Sequence, residues 1–140
     1  MTKSVVIDAS FSFRLLTPNP LQAACREQMS LWQKQGIMLA APALWANEIT
    51  SALTKAVHFG QLSRQNAEIM LELAFALPIQ LLLPDAQKAT RAFEWTFRLQ
   101  RAAAYDSFYL ALANELDCEL WTADKKLVKS IGESWVRYIG

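Results

Sequence analysis

Short, almost wholly apolar runs alternate along this chain with longer stretches of helical period, and that alternation limits the fold more than any other feature. Ser4–Asp8, Ile37–Ala41, Ile79–Leu83 and Cys118–Thr122 are such runs. They lack the apolar–polar alternation of a strand with one wet face, so they read as buried strands covered on both sides. Ser134–Ile139 sets Trp135, Arg137 and Ile139 against Val136 and Tyr138 and reads as a terminal edge strand. Between these runs, Pro20–Gln35 is helical in pattern and stops at Gly36. A second helix is expected from Pro42 to just before Gly60. Ser63 caps a third, with Ala67, Met70, Leu71, Ala74 and Phe75 three and four apart. Asp85 opens a helix to about Arg101, Tyr105-Asp106 opens another over Ser107–Leu116, and Asp124 opens a short one ending at Gly132. The pattern predicts one α/β domain over residues 1–140, a three-layer α/β/α arrangement around a parallel sheet.

A parallel sheet places chemistry in the crevice beyond the carboxyl ends of its strands. Asp8 ends the first run, Asp124 lies just past the fourth, and Glu48 falls in the first two turns of the helix after the second. Asp106 heads the apolar helix that leads into the fourth run. Each has an ordinary structural explanation. Asp8, Asp106 and Asp124 are good helix caps, and Glu48 can sit at the wet edge of the stripe formed by Trp45, Ile49, Ala52, Leu53 and Ala56. Together they form a set of hard oxygen donors suited to Mg²⁺ or Mn²⁺, and carboxylates sharing one crevice repel one another without a cation. Such ions activate water and stabilise the charge of phosphodiester hydrolysis.

Other chemistries have less support. The single histidine, His58, rules out catalysis by a histidine pair and reads as a surface or cap residue. There is no G-x-S-x-G elbow, and four glycines in the chain form no phosphate-binding loop. Cys25 and Cys118 lack metal-ligand spacing and read as free buried thiols. A net charge of +1 supplies no global attraction for nucleic acid, so contact would come from local patches. Arg14, Lys55, Arg98, Arg101, Lys125 and Lys126 are the candidates, with Lys125 and Lys126 adjoining Asp124. The chain is 53% hydrophobic and 19% charged, which leaves apolar surface for a partner. Phe93, Trp95 and Phe97 point around one helix and are expected mainly in core packing, with at least one covered by a neighbouring element or a second subunit. Neither a signal-peptide pattern nor a membrane-length apolar run is present, and a cytoplasmic location is expected.

Val5-Val6-Ile7-Asp8-Ala9-Ser10, Pro42 with Glu48 six residues on, Tyr105-Asp106-Ser107-Phe108-Tyr109-Leu110-Ala111-Leu112-Ala113, and Leu120-Trp121-Thr122-Ala123-Asp124 together resemble the PIN-domain family. The likeness is greatest to the VapC-type ribonuclease toxins of toxin–antitoxin modules. It covers essentially the whole chain, and Ser107 departs from the alanine common at that position. The resemblance implies a five-stranded parallel sheet in the order 3-2-1-4-5. It also implies an Mg²⁺- or Mn²⁺-dependent endoribonuclease with Asp8, Glu48, Asp106 and Asp124 as metal ligands, and hydroxyls of Ser10 and Thr122 nearby. RNA as substrate, a homodimer and a cognate antitoxin follow from the same likeness. The segment Phe11, Phe13, Leu15 and Leu16, with Leu44, Trp45 and Leu53, is a candidate groove for that partner. A PIN-like RNA-processing or RNA-binding module without toxin activity is the alternative. A phosphotransfer receiver would use Asp85 after the third strand but needs an acidic pair where this chain has Ala9 and Ser10. A haloacid-dehalogenase-type phosphatase would need an aspartate in place of Ser10.

Overall fold

The computed structural model describes residues 3–101 and 104–140. Its elements run β1 (Ser4–Ile7), α1 (Ala9–Leu16), α2 (Gln22–Lys34), β2 (Met38–Pro42), α3 (Leu44–His58), α4 (Arg64–Ala76) and β3 (Ile79–Leu82). They continue with α5 (Ala86–Arg98), α6 (Tyr105–Leu116), β4 (Glu119–Thr122), α7 (Lys125–Ile131) and β5 (Val136–Tyr138). The strands form one sheet in the order β3-β2-β1-β4-β5, and every pairing is parallel. This is the three-layer arrangement expected from the sequence pattern, with the strand order that the family resemblance implies.

Central β1 explains why the strand runs are so apolar. Val6 lies opposite Ala40 and Leu120 and points into a core shared with Tyr109, Leu110 and Leu112 of α6 and Trp45 and Ile49 of α3. Its neighbours Val5 and Ile7 point the other way, onto Phe11 and Leu15 of α1 and Cys25 and Trp32 of α2. A strand with a helical layer on each face has no position left for a polar side chain. Four helix starts follow the expected caps, because Asp8, Ser63, Asp85 and Asp124 each accept a hydrogen bond from a backbone N–H in the first turn of α1, α4, α5 and α7, whereas Asp106 lies inside the first turn of α6 and does not cap it.

Several expectations are corrected. Pro42 closes β2 rather than opening a helix, and α3 starts two residues later at Leu44. The missing proline N–H is tolerated there because it falls beyond the register with β1, which ends at Ala40. The third run is not a buried strand. β3 lies at the sheet edge, with Gln80 and Leu81 exposed and Ile79 and Leu82 half-buried. α5 ends at Arg98, short of Arg101. Gln100 takes a left-handed φ of 54°, and its N–H donates to the Phe97 carbonyl while that of Arg101 donates to Thr96. That double bond pattern is the Schellman helix stop. Among the three aromatics of α5, only Trp95 packs inward, edge-on to Trp135, whereas Phe93 and Phe97 contact each other and are 62% and 68% exposed. Phe11, Trp45 and Leu53 belong to the core and cannot form a partner's groove on this face, whereas Leu15 and Leu16 line an open cavity. Cys25 is buried, Cys118 is half-buried, both are free thiols, and His58 is exposed at the end of α3.

α1 and α3 are joined by a polar contact inside this core. The indole Nε1 of Trp45 donates to Ser12 Oγ at 2.9 Å, and Ser12 Oγ in turn donates to the Asp8 carbonyl at 3.1 Å. Ser12→Ala would leave a fully buried indole N–H without an acceptor. It should lower the unfolding free energy by about 1–3 kcal/mol. The check is a urea titration, in which the midpoint should fall while the slope is unchanged.

Candidate active site

Asp8 follows the last residue of β1 and is buried, with its carboxylate placed between the ends of β1 and β4. Oδ1 accepts from Ser10 Oγ at 2.7 Å and from the Phe11 N–H at 2.9 Å, and Oδ2 accepts from Thr122 Oγ1 at 2.5 Å. The two hydroxyls are themselves oriented by the turn that follows β4. Ala123 N–H donates to Ser10 Oγ and Asp124 N–H donates to Thr122 Oγ1, both at 3.0 Å. With those acceptor positions filled, each hydroxyl is free to give its proton to Asp8. These bonds favour the anion, yet burial outweighs them and pushes the Asp8 carboxyl up to about 6, with the charge of Asp106 adding to the rise.

Glu48 stands in the second turn of α3 and is half-buried. The phenol of Tyr109 donates to its Oε1 at 2.6 Å. Burial again raises its pKa, the Tyr109 bond opposes the rise, and the charges of Asp106 and Asp8 reinforce it. Asp106 lies in the first turn of α6, where the helix N-terminus favours an anion. Its Oδ2 accepts from Arg101 at 2.8 Å. Tyr109 follows Asp106 by three residues, so one face of α6 brings both to Glu48.

The structure therefore brings together Asp8, Glu48 and Asp106, with Ser10 and Thr122 as direct partners of Asp8. Asp124 is attached differently. Its backbone N–H orients Thr122, but its side chain is exposed and caps α7 through the Leu127 N–H at 3.1 Å. It is not among the charges that move Asp8 or Glu48. Lys125 and Lys126 are exposed in the first turn of α7 beside it. Arg14 occupies the last turn of α1, at the opposite end of that helix from Asp8, and leans on Phe13. Arg98 lies over Trp95 and pairs with Glu133. The sequence reading assigned no role to Tyr109, although its spacing from Asp106 was the available signal. Arg101 was read only as a possible RNA contact, because nothing in a linear sequence shows that a helix stop will aim it at Asp106.

The family model of the PIN domain matches residues 6–136 of this sequence. The chain belongs to the PIN-domain family. It is 34% identical over 93 residues to Ribonuclease VapC1 of Mycobacterium tuberculosis, an alignment covering 66% of this chain and 67% of that protein. Among solved structures it is similar to VapC20 of Mycobacterium tuberculosis, described as a sarcin–ricin loop cleaving toxin, with TM-score 0.66 and 14% identity over 95% of this chain and 98% of that one. It is also similar to a toxin–antitoxin complex from Klebsiella pneumoniae, with TM-score 0.62 and 15% identity over 97% and 98%. At such identities the structural matches establish the PIN fold.

The donor chemistry of this PIN domain suits a hard divalent cation, since the electron-pair donors at the cluster are carboxylate and hydroxyl oxygens. In the conformation seen, no three Asp, Glu, His or Cys side chains among the described residues stand in metal-holding geometry. Tyr109, Arg101 and the Leu127 N–H engage Glu48, Asp106 and Asp124 respectively.

The elevated Asp8 pKa has a stability consequence. The folded chain holds the Asp8 proton more tightly than the unfolded chain, whose value is near the ordinary 3.8. Ionisation therefore costs stability. The cost is absent below about 4, grows as pH rises and is complete above about 6. In metal-free buffer, Asp8→Asn should be more stable than the wild type above pH 6 by roughly 1–3 kcal/mol, with the gap closing below pH 4. Urea midpoints from pH 3.5 to 8 would measure this, and parallel curves for the two proteins would contradict it.

Proposed function

We propose that this PIN-domain protein is a divalent-metal-dependent endoribonuclease and the toxin of a toxin–antitoxin pair. The carrying observation is the meeting of Asp8, Glu48 and Asp106 at the carboxyl end of the sheet, close enough that the charge of Asp106 adds to the raised pKa of Asp8 and of Glu48. A structural role alone explains such a cluster poorly, since like charges gathered under partial burial cost stability unless a cation offsets them. In this reading Asp8, Glu48 and Asp106 hold Mg²⁺ or Mn²⁺, with Asp124 at the rim. The metal, when bound, supplies an activated water and offsets the charge of the RNA phosphodiester.

The chain's own groups prepare that site. Ser10 and Thr122 fix both oxygens of Asp8, and Tyr109 fixes Glu48, so little side-chain freedom remains to be lost when a ligand binds. Lys125 and Lys126 offer positive charge beside Asp124 for the RNA backbone. Arg14 is a weaker candidate, because it lies at the far end of α1.

The toxin reading is supported by the relatives, one named a ribonuclease and one solved as a toxin–antitoxin complex. A cognate antitoxin has apolar surface available. A cavity of about 880 Å³ opens between the end of α1, α2 and the end of α4, with Leu16, Met29, Met38, Leu73 and Leu77 in its lining. It keeps Leu15 and Leu16 of the groove expected from the sequence, while Phe11, Trp45 and Leu53 of that set lie in the core. A basic antitoxin side chain reaching the cluster would compete with metal and RNA phosphate. A homodimer is the proposed cover for exposed Phe93 and Phe97. No helix among the described residues is long and apolar enough to cross a membrane, in keeping with the proposed cytoplasmic location.

Cleavage of RNA by purified protein should disappear in a chelator, return with Mg²⁺ or Mn²⁺, and leave a 5′-phosphate. Asp8→Asn and Asp106→Asn should each lower the rate by about a hundredfold or more while the circular dichroism spectrum stays native. A 2′,3′-cyclic phosphate product, or full activity in chelator, would rule out the metal-water reading.

A further inference from the structure

Asp106 is the one carboxylate of the four that makes an ion pair among the described residues. Asp8 and Glu48 are met by hydroxyls, and Asp124 by a backbone N–H. The partner of Asp106 is held in place by the backbone. Gln100 and Arg101 close the Schellman stop of α5 onto Phe97 and Thr96. The turn needs a left-handed residue, and this chain uses Gln100, with φ 54°, where glycine would adopt that conformation without strain. The stop sends the Arg101 side chain across to the first turn of α6. Its guanidinium is 2.8 Å from Asp106 Oδ2, and both side chains are partly shielded from solvent, at 34% and 42% exposure.

We propose that Arg101 is a built-in counter-cation, which holds Asp106 in the metal-free protein and competes with the divalent ion for its carboxylate. The inference rests on the metal-dependent reading of the cluster. A guanidinium and a metal ion draw on the charge of the same carboxylate, so a divalent ion binding at Asp106 does so against the Arg101 bond to Oδ2. The protein then requires a higher concentration of divalent ion than its carboxylates alone would need.

The test is Mn²⁺ binding to the whole protein, read from the loss of the free-ion electron paramagnetic resonance signal without any RNA. Arg101→Gln removes the competitor and should tighten binding by about three- to fivefold, the range expected for losing one partly exposed ion pair. Arg101→Lys keeps the charge and should stay close to wild type. Arg64→Gln removes an equal charge from the exposed Arg64–Glu68 pair on α4 and should leave binding unchanged. Equal Mn²⁺ affinity in wild type and folded Arg101→Gln would overturn the counter-cation role, as would equal tightening by Arg64→Gln. In either case, weakening by Asp8→Asn would show that the metal site itself stands. If no folded variant, the wild type included, binds Mn²⁺, the metal-dependent reading falls and the Arg101 role with it.

Discussion

The carboxylate of Asp8 is where the strands, the first helix and the chemistry of this PIN domain meet. One side chain caps α1 through the Phe11 N–H, accepts the Thr122 hydroxyl from the end of β4, and accepts Ser10 from the first turn of α1. The order β2-β1-β4 follows from the parallel register, and that register carries Thr122 to Asp8. The site is therefore not an addition to a finished fold. Its best-held carboxylate is also a joint between adjacent strands, and burial makes the charged form of that joint costly.

α6 has the second structural role. Leu110, Ala111, Leu112 and Ala113 are buried where α6 packs between the sheet and α5, while Asp106 and Tyr109 at the start of the same helix reach the cluster. Core packing fixes the rotation of the helix, and the rotation fixes the site. Thr96 on α5 donates to Ser107 Oγ at 2.9 Å, which gives that buried hydroxyl a partner and joins the two helices beside Asp106. The serine that departs from the family's common alanine is thereby accommodated.

Electrostatics distinguish the four acidic residues more finely than their positions do. Asp8, Glu48 and Asp106 share one environment, and each is held by a different kind of partner: hydroxyls, a phenol and a guanidinium. Asp124 contributes through its backbone N–H and a capping side chain. A single acidic signature thus divides into three carboxylates gathered at one site and one that anchors a helix at the rim.

The sequence by itself determined the layers of this protein. Unbroken apolar runs require a sheet covered on both faces, and Asp8, Ser63, Asp85 and Asp124 announced their helices because a capping side chain acts within three residues of its own position. It also marked the four acidic positions, and its likeness to the PIN-domain family supplied the strand order. Other features depended on contacts between distant segments. An apolar run does not reveal how many neighbours its strand will have, so exposed β3 was read as buried. Helical spacing could not show that Trp95 alone of its three aromatics would meet a partner, in Trp135. The Tyr109–Glu48 bond spans 61 residues and the Thr122–Asp8 bond 114. Arg101 reaches Asp106 only because of how α5 happens to stop. Local chemistry specifies elements within a few residues, whereas the partners that set a carboxylate's charge are chosen by the packing of the whole chain.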